Sequence, residues 1–65
     1  MKNLSTEEIK DTISALSAYN FVLLQISKSK LRTKKERKNA KDDIIVVDNL
    51  IEKYKKILEV LENEN

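Results

Sequence analysis

The sequence predicts an all-α fold: an antiparallel two-helix hairpin that dimerises into a four-helix bundle. Three observations carry this expectation. None of the 65 residues is Gly or Pro, the two residues that interrupt helices. Two long apolar series recur at alternating spacings of three and four residues, the period of one helix face. Each series is preceded by a Ser/Thr-x-x-Glu capping box, at Ser5 to Glu8 and at Thr33 to Glu36. The expected layout is one domain over 1–65, with helix 1 over about 6–29, a turn over about 30–33 and helix 2 over about 34–62.

Helix 1 begins where Ser5, as N-cap, can accept from the Glu8 backbone N–H while the Glu8 side chain reaches back to the Ser5 N–H. Leu4 and Ile9 occupy the two positions of a hydrophobic staple, and Glu7, Glu8 and Asp11 suit the positive end of the helix dipole. Ile9, Ile13, Leu16, Asn20, Leu23 and Ser27 then form one seam. Thr12, Tyr19 and Ile26 widen it on one flank, Ser17 and Leu24 on the other. Small residues at Ser14, Ala15, Ser17 and Ala18 allow another helix to approach closely. Asn20 is the polar break in the seam, and two readings of it stand open: it fixes register or oligomer state, or it is a partly exposed amide bonded to water. Phe21 and Val22 point roughly away from the seam and suggest a second contact.

Lys28 and Lys30 suit the negative end of helix 1, and Thr33 with Glu36 opens helix 2 within a few residues. So short a connection suits antiparallel neighbours. Helix 2 carries Arg37, Ala40, Ile44, Val47, Ile51, Tyr54, Leu58 and Leu61 as its seam, thickened on one flank by Leu50 and Ile57. Ile44 to Val47 is a β-branched run that in isolation reads as a strand. The uninterrupted helical period around it overrides that reading. Glu59, Glu62 and Glu64 oppose the dipole at the C-terminal end, so Asn63 to Asn65 are expected to fray.

Folding the hairpin about residue 31 or 32 sets Leu16 opposite Val47 and Ile13 opposite Ile51, with a slip of one turn left open. Phe21, Val22, Ile45, Val46 and Val60 stay off the seam, and Leu24, Leu50 and Ile57 are half covered. Full burial of one such side chain is worth about 1.5–3 kcal/mol. A domain of this size buries only about 60% of its unfolded surface, and a chain lacking Cys and His has neither disulfides nor the usual zinc ligands to compensate. A homodimer answers the shortfall. Charge suggests its orientation. Residues 28–41 hold eight cations and one acid, a local +7, while the remaining five cations and ten acids give −5. An antiparallel pair sets each basic turn beside the other copy's acidic end.

Composition and motifs point away from catalysis. Acid–base work would fall to carboxylates, Lys or Tyr with no deep pocket to shift their pKa values, so no enzyme activity, cofactor, metal or small-molecule substrate is expected. Asp42, Asp43 and Asp48 match no calcium loop and read as a solvated face. The longest apolar run, Phe21 to Leu24, is too short to span a bilayer, and the N-terminal residues do not read as a signal peptide, so a cytoplasmic protein is expected.

The basic tract is the sharper feature. Lys34 and Lys35 fall in the first turn of helix 2, where the dipole disfavours cations, and that hints at an external anion. Nucleic acid would be met by Lys28, Lys30, Arg32, Lys34, Lys35, Arg37 and Lys38 with a steep salt dependence. The tract, however, has no aromatic residue for base stacking. It also lacks an apolar face of its own for a membrane surface. An acidic protein surface is the favoured partner, with Phe21, Val22, Ile45 and Val46 as apolar anchors beside those cations.

In length and topology the chain looks like the small plasmid-encoded RNA-binding two-helix dimers that regulate copy number. Its Lys/Asn/Ile/Glu-rich composition and two-helix pattern also resemble the very small proteins of bacteriophages that infect low-GC Gram-positive bacteria. Some of those inhibit host machinery, including the loader of the replicative helicase. The second resemblance implies a protein that occupies a surface a host replication factor needs; the first keeps a dimeric nucleic-acid-binding regulator as the alternative.

Overall fold

The computed structural model describes residues 5–64, which form two helices and the turn between them: α1 over Thr6–Lys28 and α2 over Lys34–Asn63. Both start at the expected capping boxes. Ser5 Oγ accepts from the Glu8 N–H at 3.1 Å, and Glu8 Oε1 accepts from the Ser5 N–H at 3.1 Å. Thr33 and Glu36 repeat the arrangement at 3.1 and 3.0 Å. Each box satisfies two backbone groups that a bare helix end leaves without partners. Leu4, the first member of the expected staple, lies outside the described residues.

α1 ends at Lys28, where Ser29 leaves helical geometry (ψ 122°) and its N–H closes on the Ile26 carbonyl at 3.1 Å. At the other end Asn63 is helical rather than frayed, and the Glu64 N–H bonds the Val60 carbonyl at 3.1 Å. An ordinary i to i−4 bond thus extends the helix despite its unfavourable terminal charge. Asn65 lies outside the described residues.

The two helices pack side by side in a slab of 48 × 21 × 15 Å. A helix with its side chains is about 10–12 Å across, so the slab is one helix deep and both of its broad faces meet solvent. The core is the strip between the helices. Leu23, Ala40, Val47 and Ile51 form its buried cluster, with Ile13, Leu16, Ile26 and Ile44 packed against it; Ile9 is fully buried nearer the open end. Every position of both seams is buried or half-buried, including Tyr54, Leu58 and Leu61.

The register differs from the expected one by about a helical turn. With Leu16 level with Val47, Asn20 would lie opposite residue 43; instead its Nδ2 donates to Asp48 Oδ1 at 2.6 Å. Burial accounts for the shift. The first six residues of α2, Lys34 to Asn39, contain no apolar side chain, so the first seam residue that gains from burial is Ala40. Ala40 on α2 and Ser27 on α1 are the buried residues nearest the turn, and matching them sets the helices in the observed register.

Glu36 links the turn to α2, and its hydrogen bonds from the Thr33 backbone and hydroxyl, then from Arg32, hold its carboxyl below the ordinary glutamate range. A depressed folded pKa gives stability that is present above the unfolded value, about 4.3, and is lost as pH falls through the folded value. Glu36→Gln keeps the cap geometry but removes the charge. Thermal melts should therefore place Glu36→Gln below wild type at neutral pH, with the two converging once the medium is more acidic than the folded pKa.

Candidate functional site

Among the described residues two polar contacts cross between the helices outside the core: Asn20 to Asp48, and Lys10 Nζ to Glu62 Oε2 at 3.7 Å. They mark one broad face of the slab. Successive residues turn 100° about a helix axis, so positions 10, 13, 17, 20 and 24 share the α1 flank on this face, and 44, 48, 55 and 62 share the α2 flank. Phe21 and Ile45 project outward from the same side, 62% and 61% exposed. The opposite face therefore carries Thr12, Ala15, Tyr19, Val22 and Ile26 from α1 with Val46, Leu50, Ile57 and Val60 from α2.

The four apolar anchors named from the sequence thus do not make one surface. Phe21 and Ile45 belong to the face bridged by Asn20 and Asp48, while Val22 and Val46 belong to the other. Residues adjacent in sequence on a helix cannot share a patch when they straddle the direction opposite the core. The Val22 face is the more apolar. Near its open end Lys56, Ile57, Val60 and Leu61 line a hollow of about 270 Å³.

At the turn, the predicted cations separate into three groups. Arg37 is half-buried, and its guanidinium donates to the Ser29 carbonyl at 3.2 Å and to the Arg32 carbonyl. It braces the turn from within, as its place in the helix 2 seam implies, and so stands apart from the lysines with which its charge groups it. The guanidinium adds to the Arg32 N–H as a donor to the Ser29 carbonyl and supplies one to the Arg32 carbonyl, both beyond the last helical bonds of α1. Arg32 pairs with Glu36 at 3.3 Å. Lys28, Lys30, Lys34, Lys35 and Lys38 are exposed and make no ion pair among the described residues. Gln25, Ile26, Lys28, Ser29 and Arg32 surround a hollow of about 390 Å³ beside them.

Leu31 went unnoticed in the sequence. It stands at the tip of the turn, 97% exposed, between Lys30 and Arg32. Its signal was available: it is the sole apolar side chain among residues 28–39. The Ser29 hydroxyl fixes the turn beneath it by accepting from the Leu31 N–H at 3.3 Å, and the Arg32 N–H bonds the Ser29 carbonyl at 3.3 Å. An apolar tip between Lys30 and Arg32, with Lys28, Lys34, Lys35 and Lys38 on the adjoining helix ends, can enter a pocket while its surroundings meet negative charge.

Among the described residues no helix is long and apolar enough to cross a membrane. Comparison of the chain with known protein families, curated proteins and solved structures finds no match in any of the three.

Proposed function

We propose that this chain is a non-enzymatic protein-interaction module, a hairpin that assembles as a homodimeric four-helix bundle and binds an acidic surface on another protein. One observation carries the reading. Among the described residues, ten large apolar side chains stay exposed around a buried apolar core of five, and the most exposed of them, Leu31, stands among lysines that make no ion pair there. Full burial of each such side chain is worth about 1.5–3 kcal/mol, so covering even a few outweighs much of what the hairpin's own core supplies. Desolvated apolar anchors give interfaces most of their affinity, while rim cations steer encounter and choose an acidic partner over a basic one.

The resemblance to small phage proteins extends the proposal to inhibition. The module would act in the host cytoplasm by occupying a surface that a replication factor, such as the helicase loader, uses for nucleic acid or for self-assembly. The five free lysines also favour a second reading, a dimeric nucleic-acid-binding regulator that uses the basic turn.

Affinity capture from host lysate, with and without nuclease, separates the two. The proposal expects one dominant protein that survives nuclease, with capture reduced at least about tenfold by Leu31→Ser or Phe21→Ala at unchanged helicity. Capture that disappears with nuclease, together with direct binding of short DNA or RNA whose salt slope falls as Lys34 or Lys35 is neutralised, would replace it with the second reading.

A further inference from the structure

Along the α2 flank turned away from the Asn20 to Asp48 bond, Asp43, Val46, Leu50, Lys53, Ile57 and Val60 recur at spacings of 3-4-3-4-3. Thr12, Ala15, Tyr19, Val22 and Ile26 recur at 3-4-3-4 on the α1 flank of the same face. Such spacing is that of a second packing seam, and the hairpin leaves it exposed except at Thr12 and Ile26, which are half-buried. Asp43 and Lys53 are the charged members of the two rows, both exposed and of opposite sign. They stand five residues to either side of position 48, at the middle of the helix Lys34–Asn63.

We infer that this stripe takes a second copy of the chain, turned end for end about a twofold axis level with residue 48. Turning the hairpin onto its own stripe in this way lays α2 against α2 and α1 against α1. Lys53 then comes level with Asp43 of the second copy, and the symmetry makes that pair twice. Val46 comes level with Leu50. The turn end of each copy, with Lys34 and Lys35, reaches the end of the other that carries Glu59, Glu62 and Glu64. A parallel pairing, about an axis along the helices, instead lays α2 on α1, removes the Lys53 to Asp43 pairs and sets one basic turn beside the other. Like charges placed opposite one another select against that arrangement. Phe21 and Ile45 lie on the outer faces of the assembly, available to the partner proposed above.

The inference rests on the dimeric part of that proposal, and sedimentation equilibrium of the full chain tests both while keeping them apart. Lys53→Asp and Asp43→Lys should each weaken self-association roughly tenfold, because each places like charges level at two symmetric sites. The double reversal in one chain should recover affinity to within about threefold of wild type. Val22→Asp should abolish the dimer and Phe21→Asp should leave it intact. Should Val22→Asp also lose helicity, the charge cycle decides alone, since both of its positions are exposed. Single reversals without effect, a double reversal no better than the singles, or a dimer broken by Phe21→Asp and not by Val22→Asp would overturn the stripe assignment. A wild-type chain that stays monomeric at every concentration would instead remove the dimer itself.

Discussion

Leu23→Ala should destabilise the protein by about 2–5 kcal/mol, while Leu24→Ala, one residue along, should cost well under half as much. Leu23 is 4% exposed and packs within the cluster of Ala40, Val47 and Ile51; Leu24 is 40% exposed on the flank. The first truncation removes a buried isobutyl group's transfer energy and leaves a cavity between two helices that have few other buried side chains to hold them together. The second removes atoms already half in water. Small domains have only about 5–15 kcal/mol of stability in total, so Leu23→Ala should show a strongly lowered melting midpoint or no cooperative transition. Parallel thermal melts followed by helical circular dichroism measure the contrast. Equal losses at the two positions would mean that Leu24 is buried in an assembly, which would extend the dimer contact to the Phe21 face and contradict the stripe.

The helices were legible in the sequence because local chemistry encodes their ends. A capping box needs four consecutive residues and no tertiary context, so Ser5 with Glu8 and Thr33 with Glu36 announced both starts. Seam positions were legible for a similar reason: a 3-4 repeat states which side chains share a face before the partner helix is known. Register was not. It depends on where burial begins on each helix, and the charged first turns of α2 shift that point to Ala40, one helical turn from where simple folding about residue 31 puts it.

The candidate site was read less well, and Arg37 shows why. Its spacing put it in the helix 2 seam and its charge put it with the neighbouring lysines; in the structure the seam position prevails, and its guanidinium turns back onto the Ser29 and Arg32 carbonyls. Composition records a cation but not the direction it faces. Phe21 with Val22, and Ile45 with Val46, show a different gap. A position off the seam does not say to which side it falls, and 100° of rotation per residue carries each pair onto two faces. Asn20 stood open between a register role and solvation. It bonds Asp48 across the helices while its Oδ1 is buried with no hydrogen-bond partner among the described residues. An amide half-satisfied between two helices costs stability, yet it ties α1 to α2 at one defined level.

The central claim is that the hairpin is incomplete alone and is covered first by a second copy of itself. Thermal melting of the wild-type chain across a hundredfold range of concentration tests it most directly, with sedimentation equilibrium at micromolar concentration as its companion. For a folded dimer that melts to unfolded chains, each tenfold rise in concentration adds about 1.4 kcal/mol to the stability of the dimer, so the midpoint should climb by several degrees across the range. The sedimenting species should have about twice the 7.6 kDa mass of the chain. A sharp, cooperative transition at one temperature throughout, from a particle of single-chain mass, would contradict the account.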